Sequence, residues 1–207
     1  MKSIKYIIPV LTLTILFSTG VLAQASSEVR YKILPESKLY IDGTSTFHNF
    51  TIKAMEVNGY LVIDGLNSGA SLKDEIGKIG QLKVIVPVKK LDSDKSSINE
   101  NMDEALKADK NPDITFALKT ISAATGQIKA GAPVSIVASG TLTIAGVSKD
   151  INMTVTGTET KDGKLLFSGE QKLLMSDYGV KPPTMFFGTV KVGDAVTVKF
   201  DLTLSDK

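Results

Sequence analysis

The strongest constraint in this chain is an alternation at period two. In its last run Val196, Val198, Phe200, Leu202 and Leu204 face one way, and Thr197, Lys199, Asp201 and Thr203 face the other. Successive side chains of an extended strand point to opposite faces, so the run reads as a strand with one apolar and one solvated side. The same pattern recurs at Leu82-Val84-Val86, Ile114-Phe116-Leu118 and Ile151-Met153-Val155. Turn chemistry separates the runs: Asp42-Gly43, Asp64-Gly65, Asn67-Ser68-Gly69, Thr125-Gly126, Ala130-Gly131, Asp162-Gly163 and Gly193-Asp194. Lys161-Asp162-Gly163-Lys164 is the clearest hairpin signal, and its Asp-Gly pair predicts a type I′ turn. An all-β fold follows, with neighbouring strands antiparallel. Such a sheet must protect its edges, and closure into a barrel does so. Eight to ten strands are counted, and eight suffice to close around an interior that holds one small ligand. A two-sheet sandwich is the alternative architecture.

One segment departs from period two. Ser93 to Lys110 places Ile98, Met102, Ala105 and Leu106 at helical spacing, which predicts a single helical insertion. Ser96 or Ser97 is the expected cap, Glu100, Asp103 and Glu104 fall in the early turns, and Asn111-Pro112 ends the helix before the next strand.

At the N-terminus Lys2 and Lys5 precede an apolar run from Tyr6 to Phe17, followed by small residues ending in Val21-Leu22-Ala23. This is the pattern of a signal peptide cleaved after Ala23, with Ala25 as a second site. The run is short of the ~20 residues a membrane span needs and is interrupted by Pro9, so a retained anchor is the weaker reading. No cysteine is available for lipidation. The expected organisation is a signal peptide over 1–23 and one domain over 24–207, exported to the periplasm of a Gram-negative envelope. Cleavage removes two of the 24 basic residues and none of the 22 acidic ones, leaving a neutral domain. A neutral domain has little long-range attraction for phosphate backbones, so nucleic-acid binding is not expected. An outer-membrane barrel also alternates, but this chain has no Trp, few flanking aromatic pairs and a polar C-terminus, Ser205-Asp206-Lys207. After cleavage the domain is therefore expected not to span a membrane.

Several segments, in order, resemble the YceI-like family of exported polyisoprenoid- and lipid-binding proteins. Gly140-Thr141-Leu142-Thr143-Ile144-Ala145-Gly146-Val147-Ser148-Lys149 is similar to its strand, tight Gly-Val turn and following strand, continued by Asp150 to Val155. Asn111-Pro112-Asp113-Ile114-Thr115-Phe116 resembles its helix-exit proline and strand. Ser45-Thr46-Phe47-His48-Asn49-Phe50 resembles its early His-containing strand, and Met175-Ser176-Asp177-Tyr178-Gly179-Val180 its Asp-aromatic-Gly segment. The chain departs from the family where many relatives carry an Arg-Asp-x-His-Leu stretch: here Asn101 to Leu106 has no histidine. The resemblance implies an antiparallel, lipocalin-like β-barrel of about eight strands with one helical insertion. Its lumen would hold a polyisoprenoid, quinone or fatty-acyl lipid as the bound ligand, with no separate cofactor. A buried hydrocarbon gains roughly 0.8 kcal/mol per CH₂, so a carrier needs a long apolar tunnel with a few polar groups at its mouth.

The candidate lipid contacts are Phe47, Phe50, Met102, Leu106, Phe116, Met153, Phe167, Met175, Tyr178 and Phe186, each of which alternation alone allows to be either core or lumen wall. Flexible Met side chains suit a wall that adapts to a chain with many rotamers. His48, the only histidine, is either a rim residue or a head-group contact, and alone it excludes a His-rich metal site. No Gly-x-Ser-x-Gly elbow accompanies it, and Asp103-Glu104 and Asp92 with Asp94 read as solvated rather than catalytic carboxylates. Met102 and Leu106 could plug one barrel end, and Lys181 to Gly188, with Phe186 and Phe187, could form a lip over the mouth. A binding protein is thus expected rather than an enzyme. An envelope lipid or ester-modifying enzyme and a ligand-free interaction module stand as alternatives, and homodimerisation is left open.

Overall fold

The alternating runs are strands. A computed structural model of the chain describes residues 28–64, 78–125, 131–185 and 189–207. Its strand segments are β1 (Val29–Ile33), β2 (Lys38–Ser45), β3 (Asn49–Ala54), β4 (Asn58–Ile63), β5 (Ile79–Pro87) and β6 (Leu91–Asp92). After the helix α1 (Ser96–Ala105) come β7 (Asp113–Thr125), β8 (Val134–Ile144), β9 (Val147–Glu159), β10 (Leu165–Leu174), β11 (Thr184–Met185) and β12 (Val190–Ser205). The signal-peptide pattern and the Asn67-Ser68-Gly69 turn lie outside the described residues.

These segments make eight staves. β1 and β2 both pair antiparallel with β12, so together they are one interrupted stave. β4 and β3 pair with β1 and β2 in the same way, and β5 and β6 with β4 and β3. From there β7, β8, β9, β10 and β12 follow in chain order, each beside the one before, and Ile33 opposite Leu204 closes the ring. The result is a closed, antiparallel, up-and-down barrel of eight staves with one helix among the described residues, as expected. β11 is a short addition to the mouth end of β12.

Two turns change places relative to expectation. Asp162-Gly163 does not form a type I′ turn, because only Gly163 has positive φ (82°). Gly163 N–H donates to Thr160 O and Thr160 N–H donates to Lys164 O, the wider hairpin in which a left-handed glycine follows an ordinary turn. The tight two-residue turn is Ala145-Gly146, at φ 50° and 83°, between the paired Ile144 and Val147. Ala145 holds this unfavourable conformation while buried, so packing rather than propensity sets it.

The helix is shorter than its apolar spacing suggested. Neither Ser96 nor Ser97 caps it: the cap position is Lys95, whose side chain makes no capping bond, and no acid lies in the first turn. The anchoring instead comes from Asn99. Its Oδ1 accepts from the Ser93 N–H (2.9 Å), and its Nδ2 donates to Asp92 Oδ1 (2.9 Å). At the other end Ala108 N–H donates to Asp103 O and Lys107 N–H to Glu104 O, with Lys107 left-handed at φ 56°. This is a Schellman stop made without glycine, and the buried Ala108 supplies its apolar contact.

The core is concentrated at one end. There Leu61 and Ile63 of β4, Val134 and Ile136 of β8, Leu165 of β10 and Leu204 of β12 pack together almost without exposure. A second cluster, Leu142, Ala145, Tyr178 and Val180, sits at the opposite end beneath Ala105 and Leu106 of the helix.

Candidate functional site

Between those clusters the barrel is hollow. A cavity of about 530 Å³ is bounded by the inward side chains of the staves, including Leu39, Ile41, Val84, Val86, Ile114, Leu118, Ile151, Val155, Val198 and Phe200. Pockets that hold small molecules run to about 300–1,000 Å³. Most of these inward residues are only half-buried, whereas side chains of similar character at the packed end are fully buried. The inner wall is apolar and yet incompletely covered, which a self-filled core would not allow.

Four aromatic rings shape the wall by lying on glycines of the adjoining stave. A Cβ at Gly43 would overlap the Phe50 ring, and one at Gly140 the Phe116 ring. Gly169 stands beneath Phe200 and Gly157 beside Phe167, directly across the ladder in both cases. Each ring occupies the space its neighbour leaves, so it lies along the wall and the lumen stays open.

The polar lining groups gather at the helix end. Ser45, His48, Asn49 and Thr51 come from the β2–β3 hairpin, and Ser93, Lys95 and Asn101 from the approach to the helix and its exposed face. The His48 carbonyl accepts from both the N–H and the hydroxyl of Ser45, each at 2.9 Å, which fixes the hairpin tip while the exposed ring is left to the mouth. Among the described residues Lys95 is the one lysine on the wall, and it is in none of the ion pairs between them. Gln171 is the polar lining residue on β10, with its Nε2 donating to Lys172 O. Ile98, Met102, Ala105 and Leu106 turn toward the cavity, so the helix roofs the mouth. Burial pushes the Tyr178 phenol up, Asp177 adding to the effect, so the ring remains neutral beneath that roof. Among the described residues no cluster of His, Cys, Asp or Glu could hold a metal ion.

Of the residues named from the sequence, Phe50, Met102, Leu106, Phe116, Met153, Phe167, Met175 and Tyr178 all border the cavity, and His48 stands at its mouth. Phe47 does not: it is 68% exposed at the hairpin tip and points away from the lumen. The alternation that puts Phe50 inside breaks at the Ser45–His48 turn, so Phe47 has no strand parity to inherit. Phe186, with Phe187 and the lip they were to form, lies outside the described residues. Gln171 was missed, although Phe167, Gly169, Gln171 and Leu173 share one parity and announce an inward glutamine. Lys95 at the helix cap, Asn101 on the exposed side of the helix and Asn49 at the first position of β3 stand where periodicity carries little signal.

A closed meander that encloses an aliphatic cavity, with its polar groups drawn to one end, defines a class of barrels built around an interior space rather than filling it. Within that class the YceI-like domain model matches residues 31–204, and the chain belongs to the YceI-like family. Its fold is also that of solved structures of low identity. A polyisoprenoid binding domain from Saccharophagus degradans, described as implicated in plant cell wall breakdown, superposes with a TM-score of 0.66 at 12% identity, covering 86% of this chain and 98% of that one. BcnA of Burkholderia cenocepacia gives 0.60 at 20% identity, over 82% and 96% of the two chains. The Campylobacter jejuni YCEI protein gives 0.55 at 21%, over 76% and 85%. Among curated proteins nothing matches the chain.

Proposed function

We propose that this protein binds a single-chain apolar lipid, of polyisoprenoid, quinone or fatty-acyl type, in the barrel lumen and carries or sequesters it in the periplasm without chemically altering it. The observation that carries this reading is the half-covered aliphatic wall around the 530 Å³ cavity. Leaving that much apolar surface unpacked forgoes roughly 25 cal/mol per Å², a loss that a buried hydrocarbon chain restores. The mouth supports a short polar head group, with His48, Asn49 and Ser93 as hydrogen-bonding groups and Lys95 as the cation. Membership of the YceI-like family supports a lipid ligand, since a solved domain of the same fold is described as polyisoprenoid binding. Export rests on the Lys2/Lys5, apolar-run and Ala23 pattern.

Native mass spectrometry of gently purified protein, followed by solvent extraction, tests the reading. The expected result is a co-purifying single-chain lipid that is replaced by an added polyprenyl probe. Absence of any lipid, together with no uptake of the probe, overturns it.

A further inference from the structure

The barrel wall is not closed along its whole height. β9 and β10 form a ladder only from Leu165 opposite Glu159 to Gly169 opposite Val155. Beyond that pair β10 continues to Leu174 and β9 begins as early as Val147, yet no pairing joins them. β9 stays paired to β8 over this stretch, and β10 to β12. Each strand thus keeps its other neighbour, and the opening lies between them in the helix half of the barrel; β5 and β7 also part beyond Lys83 opposite Ala117, but toward the packed end. The lower limit of the β9–β10 opening is the Val155–Gly169 pair and its upper limit the ion pair of Lys149 Nζ with Asp177 Oδ1, at 2.9 Å. The intervening residues of β9, Asp150 to Thr154, span about 17 Å at the strand rise.

Outside the seam lies a depression lined by Val137, Asn152, Thr154 and Glu170, together with Met153 and Gln171. The last two also line the central cavity. At this level, therefore, two unbranched side chains separate lumen from exterior, where a hydrogen-bonded ladder does so at the neighbouring β8–β9 and β10–β12 seams. Parting a ladder would forfeit several backbone bonds, whereas parting Met153 from Gln171 requires only rotamer changes. Of the exposed large apolar side chains, Val137, Leu166 and Leu174 all belong to β8 or β10, on the outer wall around the seam.

We propose that the unpaired seam between β9 and β10 is a lateral port through which the apolar chain of the ligand slides into and out of the lumen, with Met153 and Gln171 as its gate. This rests on the lipid-binding reading above. The open edges account for how a chain reaches the cavity without displacing the helix, and the exposed apolar residues give it a surface to approach along.

The chain contains no cysteine, so paired cysteines can be placed cleanly. Thr154→Cys with Glu170→Cys stands at the next position the ladder would have taken, both side chains outward and exposed. Thr156→Cys with Ser168→Cys joins residues already paired and serves as the control. Each pair is linked with a short bismaleimide, and exchange of pyrene-labelled palmitate is followed by stopped-flow fluorescence against the unlinked variants. Linking 154 to 170 is expected to slow uptake and release alike by about tenfold or more while leaving the equilibrium affinity unchanged, a shift of a decade in both rate constants. The control link is expected to change neither. Rates unaltered by the 154–170 link overturn the port and place exchange at the helix-roofed mouth. Failure of every form, the parent protein included, to bind the probe overturns the lipid reading itself.

Discussion

The same eight staves make both ends of the barrel, but they finish differently. At the end where β1, β4, β8, β10 and β12 meet, Leu61, Ile63, Val134, Leu165 and Leu204 interlock with almost no exposure. Toward the other end β9 and β10 part beyond Val155 opposite Gly169. The roof is a helix of ten residues, none of them buried, tied down by Asp92, Ser93 and Asn99. Stability and access are thus assigned to opposite ends, and a chain that must hold its shape around an unfilled space can afford openness only where little packing energy is stored.

Several changes would break or sharpen this contrast. The largest effect is expected from Leu204→Ala at the packed end, a loss of about 2–5 kcal/mol on guanidinium unfolding, because the side chain is fully buried in the core cluster with Leu61, Ile63 and Leu165. Gly140→Val should cost about 1–3 kcal/mol by lifting the Phe116 ring off the wall, and should also reduce the amount of probe lipid bound, read together in a thermal melt and a titration. Met102→Ala, at the roof, should cost only about 1 kcal/mol, since its side chain is half-buried. The helix amides should exchange with deuterium well before those of β12. His48→Ala should leave stability within about 0.5 kcal/mol yet weaken binding of a lipid with a polar head up to about tenfold. Unchanged affinity there would remove His48 from the head-group contacts.

The smallest effect concerns pH. The Asn99 amide, followed by the Asp94 N–H, holds the Asp92 carboxyl below its ordinary 3.8. Because the folded value is the lower one, the ionised carboxylate favours the anchored helix above the ordinary range, and the benefit fades as acid brings the pH down through the folded value. The Asp94 amide resonance should accordingly titrate below pH 3.8, and Asp92→Asn should abolish that step while loosening the first helical turn.

Most of the barrel was legible because strand parity is a two-valued signal. Val196 to Leu204, Ile151 to Val155 and Leu82 to Val86 all sent their apolar faces inward as read. Helix limits were harder: Asn99 reaching back to Ser93 and a Schellman stop at a lysine are tertiary choices that spacing does not encode. At the site, strand parity turns Phe50, Phe116, Met153 and Phe167 to the cavity, and helical spacing turns Met102 and Leu106 to it. Met175 and Tyr178, by contrast, border it from a short turn that neither period describes, and Phe47 lies outside the lining where the strand gives way to a turn. Whether an inward face meets other side chains or empty space depends on stave spacing and on which glycine lies under which ring. Gly140 and Phe116 are 24 positions apart, a relation that exists only once the ladder forms.

The pairing of Lys32 with Ser205 and Ile33 with Leu204 also bears on how the barrel is assembled in time. Its closing contact joins the first strand to the last, so no partial chain can seal the ring, and formation of the native topology waits for the final residues to become available. A β-barrel whose closure needs β12 to pair with β1 and β2 across most of the chain is expected to fold in milliseconds to seconds rather than microseconds. During that interval the chain remains an unclosed ribbon, pliable enough to be threaded through a narrow passage and vulnerable at both exposed edges until β12 arrives.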